Sequence, residues 1–153
     1  MRLQIRAVGR MKPGPEQELL DLYRKRLSWQ LDILEIDDRK SAGSTPERIA
    51  REGAQLQADL PPGAVVVALD ERGRELDSRE FSRTLTAWRD NARLPIVFMI
   101  GGADGLEREL VNKADLTLCF GRMTWPHMMV RAMLVEQIFR AQSIQQGHPY
   151  HRA

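Results

Sequence analysis

The sequence predicts an α/β fold: a mostly parallel sheet with helices on both faces. Residues 64–69 (Ala-Val-Val-Val-Ala-Leu) and 95–100 (Pro-Ile-Val-Phe-Met-Ile) are continuously apolar and of strand length. Such runs mark strands covered on both sides. They alternate with longer segments whose apolar residues recur at helical spacing. No internal repeat or low-complexity tract breaks the alternation. A length of 153 residues predicts one domain over residues 1–153, and 42% hydrophobic residues exclude a disordered chain.

The elements follow in order. Residues 3–8 read as a strand. Pro13-Gly14-Pro15 breaks the chain, and a helix follows over 16–27, with Leu19, Leu20, Leu22, Tyr23 and Leu27 at helical spacing. Residues 31–36 alternate like a strand, with Leu31, Ile33 and Ile36 inward, Leu34 also a candidate, and residues 37–44 form a charged loop. Thr45 is the expected N-cap of the next helix, with Pro46 at its first position. This helix ends before Pro61-Pro62-Gly63, and the buried strand 64–69 follows. Asp77 and Glu80, three apart, read as a capping pair for a helix reaching Asn91. The second buried strand, 95–100, leads to a short helix from about Glu107, then a strand over 116–120. The longest helix runs from His127 to Gln145, with Val130, Met133, Leu134, Ile138, Ala141 and Ile144 on one stripe.

Several functional classes are excluded or weakened. No run approaches the roughly 18 apolar residues that span a bilayer. A single cysteine, Cys119, excludes a disulfide framework and fits a reducing compartment, so a cytoplasmic protein is expected. Cys119 lies in an apolar strand, where thiols are usually inert. No acid or cysteine stands at ligand spacing to His127, His148 or His151, so no metal is expected. The net charge of +2 demands no polyanion. From Gly121 onward, however, Arg122, Arg131, Arg140 and Arg152 face one acid, Glu136. Such a basic end could meet nucleic acid, or it could be a solvated helix face.

In parallel sheets ligands bind beyond the carboxyl ends of strands, so three loops are candidates: Leu69-Asp70-Glu71-Arg72-Gly73, Gly101-Gly102-Ala103-Asp104-Gly105, and residues 121–126. The second matches neither the dinucleotide fingerprint nor the P-loop. It reads as a ligand cradle or a tight strand-to-helix turn. In the third, Thr124 and Pro126 could open the helix, but capping does not explain Met123 and Trp125, which could wall a purine pocket. The tail, Gly147-His148-Pro149-Tyr150-His151-Arg152-Ala153, collects base-stacking and phosphate-holding groups. It could also dock on its own fold.

Taken together, Ile100-Gly101-Gly102-Ala103-Asp104-Gly105-Leu106, Met123-Thr124-Trp125-Pro126-His127, Val130-Arg131, Glu136-Gln137 and the terminal His148-Pro149-Tyr150-His151-Arg152 resemble the RlmH family, small SPOUT-superfamily methyltransferases of 23S ribosomal RNA. The resemblance covers nearly the whole chain. It implies a C-terminal trefoil knot, S-adenosylmethionine as methyl donor, and methylation of a pseudouridine at N3 in the assembled ribosome. It also implies a homodimer whose active site is completed by the partner's tail. Cofactor positions map onto Leu69, Asp70, Gly101, Gly102, Gly121, Arg122, Met123, Thr124, Trp125 and Pro126. Arg131, Tyr150, His151 and Arg152 are the implied catalytic set: the arginines hold phosphate or developing charge, and Tyr150 and His151 position the base. His127, Glu136 and His148 are the implied RNA-binding residues. The family commonly has Pro-Glu where this chain has Ala103-Asp104, and Leu at Met123 and Trp125. Two other readings are a non-catalytic ribosome-associated factor with this fold and an α/β enzyme acting on a small nucleotide.

Overall fold

A computed structural model describes residues 1–37 and 43–152. Most of the expected loop at 37–44 therefore lies outside the described residues, as does Ala153. Ten elements alternate: β1 (Arg2–Val8), α1 (Pro15–Arg24), β2 (Gln30–Ile36), α2 (Thr45–Gln57), β3 (Val65–Glu75), α3 (Ser78–Asp90), β4 (Ile96–Ile100), α4 (Arg108–Lys113), β5 (Leu116–Cys119) and α5 (His127–Gln145).

The strands form one parallel sheet in the order β2-β1-β4-β3-β5. Connections toward the β2 edge carry α1 and α3, which pack with α5 on one face. Connections toward the β5 edge carry α2 and α4 on the other face. That division is what crossovers of a single hand require. All five residues of β4 are buried. Ile96, Phe98 and Ile100 meet Leu20, Leu85 and Ile138. Val97 and Met99 point the opposite way, toward Leu56 and Leu110. Continuous apolarity thus reflects two cores, one on each side of the strand.

Three elements depart from expectation. Ser44, rather than Thr45, caps α2: its hydroxyl accepts from the Glu47 amide, and the Glu47 carboxylate accepts from the Ser44 amide. Thr45 is the first helical residue. α1 stops at Arg24, and a turn closes it as Arg26 and Leu27 donate to carbonyls three residues back. β3 runs six residues past Leu69. Val65 to Leu69 pair with β4, and Val67 to Leu69 also with β5; after a register shift between Leu69 and Arg74, the strand continues along β5 alone. The expected loop 69–73 is therefore a bulged strand. Leu34 shares a face with Ile36 but is 46% exposed, since cover thins at the edge strand β2. The Asp77–Glu80 capping box forms as expected.

Arg6 ties the sheet to α2, whose last turn has no basic residue. Buried beneath that helix, its guanidinium donates to the carbonyls of Leu56, Ala58 and Asp59 at 2.9, 2.6 and 3.4 Å. A cation there satisfies terminal acceptors that the helix cannot satisfy itself.

Candidate functional site

The bulge of β3 and the carboxyl ends of β4 and β5 border a cavity of about 720 Å³. That volume suits a ligand of small-molecule size. Of the ten residues expected to hold a cofactor, nine line it: Leu69, Asp70, Gly101, Gly102, Gly121, Met123, Thr124, Trp125 and Pro126. Arg122 does not. His127 lines the same space, as do Glu71, Arg72 and Asp104 of the candidate loops, and Phe120 and Val130.

The glycine loop is a folded-back turn. Gly102 and Gly105 bridge, with the Gly105 amide donating to the Gly102 carbonyl at 3.1 Å. A Cβ on Gly101 would stand 2.5 Å from the Gly105 carbonyl carbon, so only glycine allows this approach. Asp104 is ion-paired with Arg48 of α2, which fixes the outer end of the loop.

The third loop leaves β5 at Gly121, whose φ of +111° excludes most side chains. It is tied down at two points. The Trp125 indole donates to the Phe120 carbonyl at 3.2 Å, and the Thr124 hydroxyl donates to Glu71 at 3.2 Å. Thr124 therefore binds the β3 bulge and does not cap α5, whose N-cap is Pro126. The Cys119 thiol is buried against the Gly121 and Glu71 carbonyls at 2.9 and 3.2 Å.

Asp70 is held ionised in an ion pair with Arg72, which lines the same cavity. It accepts from the Arg72 amide, Nε and Nη2 at 2.8, 3.0 and 3.1 Å. Hydrogen bonds from the Arg72 side chain hold its carboxyl below the usual carboxylate range, with help from the charge of Arg108. The wall thus combines apolar side chains, backbone groups and an ionised carboxylate, a surface suited to a ligand with an apolar ring, hydroxyls and positive charge.

His127 is half-buried where α5 meets the Gly9 turn; a Cβ on Gly9 would lie 3.7 Å from its Nε2. Burial, then the charge of Arg131, lowers its pKa from the ordinary 6.5, so the imidazole is neutral at pH 7.

The remaining expected residues stand apart from the cavity. Arg131 is fully buried in this chain. Its Nη1 donates to Glu35 at 2.6 Å, and its Nη2 to the Gly9 and Val8 carbonyls at 3.1 and 3.4 Å. Glu35 also accepts from the Met11 amide at 2.6 Å. Together Arg131 and Glu35 clamp the turn after β1 against α5. Glu136 is occupied by Arg140, Gln137 and Tyr150. Tyr150 and His151 pack against α5, while His148 and Arg152 are exposed. Among the described residues no cluster of three or more histidine, cysteine or acidic side chains could hold a metal ion, and no helix is long and apolar enough to cross a membrane.

Comparison with known proteins gives this cavity a context. A family model described as predicted SPOUT methyltransferase matches residues 1–151. The chain belongs to the RlmH family of SPOUT methyltransferases. The RlmH relative from Rhodospirillum centenum, named ribosomal RNA large subunit methyltransferase H, is 55% identical over all of both chains. That from Paramagnetospirillum magneticum, with the same name, is 51% identical over 99% of each. The fold extends beyond RlmH. A protein from Haemophilus influenzae Rd KW20 described as a probable methylase family protein superposes with a TM-score of 0.57 at 14% identity, covering 99% of this chain and 70% of that one.

Glu71 and Arg72, expected in a candidate loop, lie instead within β3, because no local pattern marks where its pairing shifts along β5. The one available signal was Gly73: a Cβ there would lie 2.7 Å from the Thr117 backbone. Glycine within a strand often marks a bulge or a close backbone approach.

Proposed function

We propose that this protein is a cytoplasmic methyltransferase acting on N3 of a pseudouridine in 23S ribosomal RNA of the assembled ribosome, with S-adenosylmethionine as methyl donor. We further propose a C-terminal trefoil knot and a homodimer in which one chain's tail completes its partner's site. The observation that carries the reading is the convergence of the Gly101-Gly102 turn and the loop at 121–126 on one cavity, beside an ionised Asp70. The cavity's chemistry fits the donor: Trp125, Pro126 and Leu69 offer apolar contact to adenine, and Asp70 offers acceptors to hydroxyls or positive charge. The name shared by the 55% and 51% identical relatives supports the ribosomal substrate. Leu19 and Leu22 on α1, 45% and 53% exposed, leave an apolar surface that a second copy could cover.

When bound, S-adenosylmethionine supplies an electrophilic methyl carbon whose bonding pair leaves with sulfur. The chain's own task is to align an acceptor nitrogen and remove its proton. His127 lines the cavity and is neutral at pH 7, so its free ring nitrogen can accept the imide proton as the new nitrogen–carbon bond forms. Because its pKa is lowered, the neutral form persists into mildly acidic solution. The acid limb of the methylation rate should lie below the ordinary histidine range, where His127 gains a proton. His127→Gln should lower kcat by roughly a hundredfold or more and remove that acid limb. A limb unchanged in the variant would assign the proton elsewhere.

The activity itself is tested by mass spectrometry of 23S ribosomal RNA from cells with and without the gene. One methyl group should vanish from a single pseudouridine and return on complementation. Unchanged methylation in the deletion strain would refute the assignment.

A further inference from the structure

The C-terminal tail is a built structure, whereas chain ends ordinarily fray. After α5, Gly147 turns at φ +66°, and the His148 amide closes the helix on the Ser143 carbonyl at 2.9 Å. The chain then folds back, and Tyr150 enters a cradle formed by α1 and α5. Its ring lies 4.7 Å from Phe139 at 64° and 6.2 Å from Tyr23 at 66°, both edge-on arrangements. The guanidinium carbons of Arg140 and Arg26 stand 4.8 and 5.3 Å from the ring centroid. The Tyr150 hydroxyl donates to Glu136 at 2.8 Å and shares a 3.1 Å hydrogen bond with the Tyr23 hydroxyl. The Tyr150 amide donates to the His148 ring at 3.2 Å, and the His151 ring lies 3.3 Å from Arg140.

This geometry leaves Tyr150 no free group with which to meet a nucleobase. Its hydroxyl proton is committed to Glu136, its ring to four neighbours. By contrast His148 and Arg152, on either side, are exposed.

We propose that Tyr150 is a positioning residue: an anchor, held by Tyr23, Arg26, Glu136, Phe139 and Arg140, that fixes the tail so that His148 and Arg152 are presented to the RNA substrate. This rests on the methyltransferase reading above. It assigns Tyr23 of α1 and Arg26 of the turn that follows, more than 100 positions away in sequence, to substrate positioning. It also separates the tail's residues into an inward anchor and an outward contact pair.

The test pairs tail order with kinetics, using full-length protein. Backbone amide ¹⁵N relaxation of His148 and of residues 150–152 should report a rigid tail in the wild type and a mobile one in Tyr150→Ala. Tyr150→Phe and Tyr23→Phe keep the aromatic cradle and lose only hydroxyl bonds. Each should leave the tail ordered and lower kcat/KM for the ribosomal substrate by about tenfold at most. Tyr150→Ala should lower it roughly a hundredfold or more, because the contact pair is no longer held in place. S-adenosylmethionine affinity by calorimetry should stay within about twofold throughout. Tyr150→Phe that is inactive with an ordered tail would put the hydroxyl in the chemistry and overturn the proposal. So would Tyr150→Ala with a rigid tail or full activity. A wild type that methylates no ribosomal RNA would defeat the functional reading, and the relaxation data would still decide the anchor.

Discussion

Gly101→Ala should abolish binding of S-adenosylmethionine. The added Cβ would lie 2.5 Å from the Gly105 carbonyl carbon and 2.6 Å from its oxygen. Both are backbone atoms, so no side-chain rotation relieves the clash. The turn must open, and with it the bridge between Gly102 and Gly105 that shapes one wall of the cavity. Overpacking of this kind costs about 1–3 kcal/mol of stability. Affinity should fall further, by roughly a hundredfold or more, because the binding surface itself is displaced. Gly102→Ala is the instructive contrast. Its Cβ would meet the Val8 Cγ1 at 3.2 Å, a side-chain atom that can yield by a few tenths of an ångström. Calorimetry on both variants, with circular dichroism to confirm folding, separates the two. Equal affinity in Gly101→Ala and wild type would contradict the assigned wall.

Arg131→Ala should be strongly destabilising. The side chain is wholly inside the protein, and it joins elements distant in sequence: Glu35 at the end of β2 and the Val8 and Gly9 carbonyls after β1. Removing it deprives Glu35 of its cation and the carbonyls of their donor, and leaves a cavity. Breaking a buried pair costs about 3–5 kcal/mol. Glu35 is one-third exposed, so water solvates part of its charge and the loss should fall at the low end of that range. Glu35→Gln should cost less, about 2 kcal/mol, since an amide oxygen can still accept from the guanidinium. Urea denaturation reads both. An Arg131 that held RNA phosphate would behave differently, giving a raised KM on a fully stable protein. That outcome would contradict the clamp.

Arg131 also shows why parts of the site were not legible in the sequence. It sits beside Val130 on the longest helix, in a basic C-terminal stretch, and so resembles a phosphate ligand. Its partner, Glu35, is 96 positions away, and no local pattern links them. The Tyr150 cradle is the same kind of case, because Tyr23 and Tyr150 meet only through the packing of α1 on α5. Legible features were those encoded by neighbours in the chain. The apolar runs of β3 and β4 require cover on both faces, the Asp77–Glu80 spacing closes a capping box, and the glycines at 101 and 102 end a buried strand. The converging loops at 101–105 and 121–126 followed from the rule that ligands gather at carboxyl ends of parallel strands, together with the family resemblance. The β3 extension was missed because Asp70 to Glu75 are polar and half-solvated, and their strand geometry comes from β5, not from their own sequence.

A crystal structure with S-adenosylhomocysteine, the donor without its methyl group, tests the central claim most directly. Density for the molecule should fill the space between the Gly101-Gly102 turn and the loop at 121–126, its adenine against the apolar wall near Trp125. Density bound elsewhere on the chain, with that space still open at saturating ligand, would contradict the account.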